Sequence, residues 1–385
     1  MDKVQKLPWK SESLAKPKSF NPKRLTLARK RKGFNKIAFA DRIGVDRKSV
    51  QAYEAGKSVP SEETLSRIMG VLGFPLSFFF GDDLEEPSLD SGSFRSMSTM
   101  KASRRDMALS QAALALDLNV WISRKFELPH PEIPDLGREP NPEAAAEFVR
   151  SQWSLGSLSI RNMIHLLESK GVRVFSLAVD AREVDAFSMW NGGIPFVFLN
   201  ANKTSEHSRF DAAHELAHLT LHKHGPPRGL EAEKQANAFA SAFLMPRGSV
   251  HANAPRFATY DSLVNLKRKW TVSVGALAYR LHDLGLMSDW HYRGICIEIA
   301  KRGRNVEPDE APRETSMILP KVFSALYEDG VTRAQVAREL SIPTVELEQL
   351  LLGLTLTGID TEGGGTSRSQ PNEMRRSRLT LVGKE

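Results

Sequence analysis

The chain has 385 residues, too many for one compact domain, and its 41% hydrophobic and 26% charged residues exclude a wholly disordered or collagen-like protein. A single cysteine, Cys296, excludes an intramolecular disulfide framework and a cysteine-rich zinc module, and suits a reducing compartment. The net charge of +7 is unevenly spread: residues 1–80 hold 17 Lys+Arg against 7 Asp+Glu, a net of +10, which leaves −3 for the remaining 305 residues. A polyanion partner is therefore expected for the first part only. No apolar run approaches the roughly 18 residues that span a bilayer. Residues 1–20 lack the apolar core of a secretory signal, so no membrane partner is expected and the chain reads as cytoplasmic.

Residues 1–20 mix Lys, Pro and Ser without a period and read as a basic lead. From 21 to 80 the apolar positions follow helical spacing: Leu25, Leu27 and Ala28, then Ile37, Ala40 and Ile43, then Leu65, Ile68 and Leu72. Within 34–54, two helical segments hinge at Gly44. Ala40 is small enough for close helix approach, and Asp46 suits an N-cap. Val45, Val50 and Tyr53 would face inward, which leaves Arg47, Lys48, Ser49 and Gln51 outward, where they can meet base edges and phosphates. This run resembles the Cro/C1-type (XRE-like) helix-turn-helix, and the likeness continues through 55–61 and 65–72 to Gly73-Phe74-Pro75, about 55 residues in all. The resemblance implies a homodimer reading a two-fold symmetric operator in double-stranded DNA. Lys36 stands where the family usually has Gln, which keeps a phosphate contact there and leaves a base contact open. Phe78, Phe79 and Phe80 are expected to pack onto the core of this module.

Residues 82–103 turn acidic and then Ser-rich, as a linker does. Helical patterns resume over 104–126 and 143–170. Short β-branched and aromatic runs at 172–177 and 196–199 read as strands, with the turn signal Asn191-Gly192-Gly193 between them. Helices are expected around 205–222, 230–244 (stopping near Pro246) and 261–285, and 318–356 reads as a compact helical end. The tail 361–385 is Gly/Ser/Arg-rich and expected to be disordered.

The strongest chemical signal is His214-Glu215-Leu216-Ala217-His218. Residues four apart on a helix share a face, so both imidazoles can reach one ion, and zinc suits neutral imidazole nitrogens with a third protein ligand and an open position. Glu215 can then act as general base on water. For the third ligand the residues leave rivals. Glu233 opens a helix of small residues and leads, while Glu231 and His224 compete. His224 has the ten-residue spacing of a third histidine but Leu221 where a glycine turn is needed. His222 falls off the face of the first pair, as a supporting or surface residue.

Segments 209–222 and 233–246, together with 160–210 leading into them, resemble the ImmA/IrrE family of metallopeptidases over about 150 residues, roughly 145–290. The resemblance implies that His214, His218 and Glu233 bind Zn2+, that Glu215 is the base, and that the substrate is a repressor or antitoxin-like protein. Ala217 replaces the family's usual glycine, small for small.

Weaker signals read as structural: Lys267-Arg268-Lys269 as a solvated face, Cys296 as a buried small hydrophobe, and 330–343 as a second helix-turn-helix cadence with balanced charge, suited to packing or interaction. The expected class is α+β: an all-α N-terminal domain (21–81) after the lead and before the linker, a mainly helical zincin-like domain with a small β-sheet (104–300), and a small helical C-terminal region (301–360). Two functions fit. One is a DNA-binding transcriptional regulator carrying a zinc-dependent endopeptidase; the other is a transcription factor or antitoxin-like module whose peptidase-like domain senses a ligand or partner without proteolysis.

Overall fold

The computed structural model describes residues 5–6, 19–87, 101–177, 186–223, 229–303 and 306–355. Most of the basic lead, most of the 82–103 linker, the tail 361–385 and His224 lie outside these residues. Asn21 opens α1 (Pro22–Arg31): its side chain accepts from the N–H groups of Lys23 and Arg24, and proline occupies the first turn, where no partner is lost. Asn35 caps α2 (Lys36–Ile43), which ends on Gly44 at φ +66°, a left-handed conformation that glycine adopts without a Cβ clash. Then come α3 (Arg47–Glu54) and α4 (Glu62–Leu72). Asp46 stands at the N-cap of α3 but makes no side-chain cap bond. Leu25, Phe39, Ile43, Val50, Ile68 and Leu72 are buried between these helices, and a 3-10 turn (Leu76–Phe80) closes the core with Phe78 and Phe79. Val45 and Tyr53 are only half-buried, so of the three inward positions Val50 alone is sealed.

The next helix, α5 (Ala102–Ser123), packs on α1. Its run of buried small residues, Ala108, Ala112, Ala113 and Ala115, permits close approach on more than one side. A short pairing of β1 (Gln5–Lys6) with β2 (Phe126–Glu127) follows. After α6 (Pro142–Gln152) and α7 (Met163–Ser169) come β3 (Arg173–Leu177), β4 (Ala186–Asn191) and β5 (Ile194–Asn200), in the spatial order β3-β5-β4. β3 runs parallel to β5 with Arg173 opposite Phe196, and β4 runs antiparallel to it with Asn191 opposite Ile194. Gly192 and Gly193, both at positive φ, make the two-residue hairpin. Phe187 stacks on Phe198 at 4.5 Å, and Phe175 lies over both Phe196 and Phe198. The two runs expected as strands are β3 and β5. β4 was not separately expected, because Ala186, Ser188 and Asn191 dilute its apolar pattern.

Across β4 and β5 lies α8 (Ser205–Leu221), and α9 (Leu230–Leu244) packs against α8 and α6. There follow α10 (Arg247–Asn253), α11 (Tyr260–Lys267), α12 (Val274–Asp283) and α13 (Asp289–Arg302), so the helical 261–285 pattern comprises two helices, α11 and α12. Two sequence expectations fail here. Arg268 and Lys269 are exposed as expected of a solvated face, but Lys267 is not: it is 1% exposed and paired to Glu206 at 2.7 Å and Glu307 at 3.0 Å, because Leu263, Trp270 and Val272 draw this end of α11 inward. Cys296 is half-buried rather than sealed, since α13 packs mainly on α12 and presents part of its circumference outward.

The C-terminal helices are α14 (Ile318–Glu328), α15 (Arg333–Glu339) and α16 (Thr344–Leu351). The α15–α16 pair has helix-turn-helix cadence, yet α16 lies against β3, and its Glu346, 1% exposed, pairs with Arg31 (2.7 Å) and Lys32 (2.8 Å) at the end of α1. Trp121 of α5 donates to Glu339 at 2.9 Å. This second pair therefore faces inward as a bracket between α1, α5 and the sheet, and residues Met1–Thr355 form one compact unit.

Candidate metal centre

Thr204 starts α8 by accepting the His207 N–H, and the buried small side chains Ala212, Ala213 and Ala217 let β4, β5 and α9 close on the helix. Spacing of four residues brings His214 and His218 to one face, their Nε2 atoms 3.1 Å apart. The first turn of α9 supplies Glu233, whose carboxylate oxygens lie 3.2 Å from His214 Nε2 and 3.7 Å from His218 Nε2. Ala232 and Ala236, buried on either side of it, are what allow α9 so near. These three ligand atoms lie within 4.8 Å of one another, and no other such group occurs among the described residues. Glu231 is exposed on α9 and outside the group.

The donor set fits a zinc ion. His214 Nδ1 is 3.0 Å from Asn237 Oδ1, an atom that only accepts, so this nitrogen carries the proton and Nε2 keeps its lone pair toward His218 and Glu233. Two nitrogens and a carboxylate converging in this way, on a side open enough for water, are the ligands of a three-residue catalytic zinc site. Burial pulls the His214 imidazole down while Glu233 and Glu215 pull it up, for a net rise. Burial and the neighbouring His214 and His222 hold His218 well below the ordinary histidine value, in the neutral form that a metal requires.

Glu215 is buried beside this face, and one of its carboxylate oxygens has no protein partner. Burial pushes its carboxyl up to about 7, against the opposing pull of His214 and a hydrogen bond from Ser188. A group poised near neutrality can take up and release a proton at working pH. Of the two alternatives for His222, a supporting or a surface residue, the surface one fails: it is 2% exposed, with its Nδ1 2.9 Å from His218 Nδ1 and its Nε2 3.2 Å from Gln235 Oε1. Asn237, Gln235 and Ser188 are site residues that the sequence reading does not single out. The available signal was two amides spaced two apart on the helix that Glu233 opens.

At the other end of the chain, Arg47, Lys48 and Gln51 are exposed along α3, with Ser49 half-buried beside them. Lys36 is held by Glu54 at 3.1 Å, and Glu54 is in turn held by Arg29 at 2.5 Å, so Lys36 is tied to the end of α3 rather than free.

Comparison with known proteins gives two matches. Residues 167–282 match the M78 peptidase family described as the IrrE N-terminal-like domain, and residues 25–79 match a helix-turn-helix family. No curated protein matches the chain. Among the described residues no helix is long and apolar enough to cross a membrane. The chain joins an XRE-like helix-turn-helix DNA-binding domain to an ImmA/IrrE-type metallopeptidase-like domain, the organisation of a regulator with a peptidase-like body.

Proposed function

We propose that this fusion is a DNA-binding transcriptional regulator whose body is a zinc-dependent endopeptidase acting on a regulatory protein of the repressor or antitoxin type. The observation that supports it most is the convergence of His214, His218 and Glu233 beside a buried carboxylate, Glu215, with an unpartnered oxygen. His214 and His218 on α8 and Glu233 on α9 would hold the ion. Zinc bound there would supply Lewis-acid polarisation of a peptide carbonyl and a more acidic water. Glu215 would take the water proton on its unpartnered carboxylate oxygen and pass it to the leaving amine, a role suited by a carboxyl near 7. Packing of β4 and α9 on α8 fixes these side chains before substrate arrives.

The DNA-binding domain would read a two-fold operator as a homodimer, with Arg47, Lys48, Ser49 and Gln51 toward the major groove and Lys36 toward a phosphate. The substrate would be a protein brought near by the same DNA, or another copy of this chain. The test is metal content together with cleavage. His214→Ala should lose stoichiometric zinc, and Glu215→Gln should keep zinc but lose hydrolysis; retention of zinc by His214→Ala would sink the site assignment. The firm docking of α1 on α5 and α16 supports a second reading, a sensor that changes DNA binding without proteolysis. That reading holds if Glu215→Gln leaves regulatory output unchanged.

A further inference from the structure

The two imidazoles of the candidate centre are backed differently. His214 meets an amide on α9 directly, through Asn237. His218, one turn further along α8, reaches α9 only through another imidazole, that of His222, which meets the amide of Gln235. The rings of His218 and His222 lie 5.0 Å apart and tilted by 53°, an arrangement in which Nδ1 faces Nδ1 rather than one ring stacking flat on the other. His222 is buried, so water does not compete for either of its nitrogens.

With Gln235 Oε1 facing His222, as the structure places it, the hydrogen count along this chain has one solution. A neutral imidazole carries one N–H, and the amide oxygen of Gln235 can only accept. The His222 proton therefore sits on Nε2, 3.2 Å from that oxygen, and His222 Nδ1 is bare. A bare Nδ1 at 2.9 Å from His218 Nδ1 requires the His218 proton on Nδ1. His218 Nε2 is then bare and directed at His214 Nε2 and Glu233. We propose that His222 and Gln235 are positioning residues, a relay that fixes His218 in the Nδ1–H tautomer and aims its Nε2 lone pair at the metal-binding pole.

The purpose of the relay rests on the metal centre proposed above, but its existence does not. Outer groups of this kind typically change metal affinity by 10–100-fold. The tautomers are read from long-range proton–nitrogen NMR spectra of the zinc-free full chain, which separate Nδ1–H from Nε2–H in each histidine. His218 protonated on Nδ1 and His222 on Nε2 is the expected result; His218 protonated on Nε2 overturns the relay whether or not the chain binds zinc. Zinc affinity is measured by competition with a chromogenic chelator. Gln235→Leu and His222→Phe should weaken it about 10–100-fold, and Gln235→Glu, which keeps an acceptor at the same place, should stay within about threefold of the parent. Gln235 is half-buried, so Gln235→Leu is expected to fold even if the buried His222→Phe does not. Gln235→Leu binding zinc as tightly as the parent overturns the proposal. A parent chain that takes up no zinc overturns the metal centre instead, and the tautomers then decide the relay alone.

Discussion

Glu346 and Arg31 stand 315 positions apart in the sequence, yet their side chains meet at 2.7 Å with 1% and 4% exposure. Removing the carboxylate with Glu346→Leu leaves the Arg31 guanidinium buried beside only Gln349, and an uncompensated buried charge of this kind costs about 3–5 kcal/mol. Lys32, the second cation on Glu346, is 31% exposed and can turn to water, so it adds little to the loss. Removing both charges with Arg31→Met and Glu346→Leu leaves an apolar contact of similar volume, expected to lie within about 1–2 kcal/mol of the parent. With single costs of about 3–5 kcal/mol against about 1–2 kcal/mol for the pair, a double-mutant cycle should return a coupling of about 4 kcal/mol or more. Across a unit of this size, at about 2 cal/mol/K per residue, the single substitutions should lower the melting temperature by about 5 °C. Single substitutions that each cost less than about 1 kcal/mol, or a double variant as unstable as the two singles summed, would refute the buried-pair reasoning.

Glu215 gives a pH signature in the zinc-free chain. Its folded value of about 7 lies above the ordinary 4.5, so the stabilising contribution of its protonated form is complete below pH 4.5 and lost as pH rises through 7. Glu215→Gln keeps the neutral shape at every pH; it should match the parent to within about 1 kcal/mol at pH 5 and exceed it by about 3 kcal/mol at pH 8.5. A difference that stays flat with pH in urea titrations would show that the carboxyl is not perturbed. Gly171, between α7 and β3, sits at φ +78°, and an added Cβ would lie 2.3 Å from the His130 carbonyl oxygen. Backbone cannot yield as a side-chain tip does, so Gly171→Ala should cost about 3 kcal/mol or more; a normal melting temperature would contradict it. Lys48→Ala, exposed on α3, should weaken DNA binding and reduce the slope of log affinity against log salt by about 1. Lys36→Ala should reduce it less, because Lys36 is already paired with Glu54.

Local chemistry made much of this protein legible. The left-handed Gly44 marks the turn of the first helix pair because glycine geometry acts within a few residues, whereas Asp46, expected to cap α3, stands at the N-cap without a side-chain bond. The His214–His218 pair was readable for the same reason: one helical turn brings the two rings together wherever the helix lies. Glu233 needed more, since Glu231 and His224 satisfied the same chemistry on paper. Its selection over Glu231 comes with the small-residue packing of α9 on α8. β4 escaped because a strand held by its neighbour β5 and covered by α8 need not carry a strong pattern of its own.

The sequence by itself determined most of the helices and the histidine face of the candidate centre, both set by interactions spanning four or five residues, and, through its composition, the basic character of the reader. Tertiary structure alone decided that Lys267 is buried between Glu206 and Glu307, that Gln235 on α9 backs His222, and that Glu346 pins the reader to the sheet through α16. In each case the deciding quantity is whether a charged or polar group is removed from water next to a partner distant in the chain. That depends on which surfaces the helices bring together, and no local pattern encodes it.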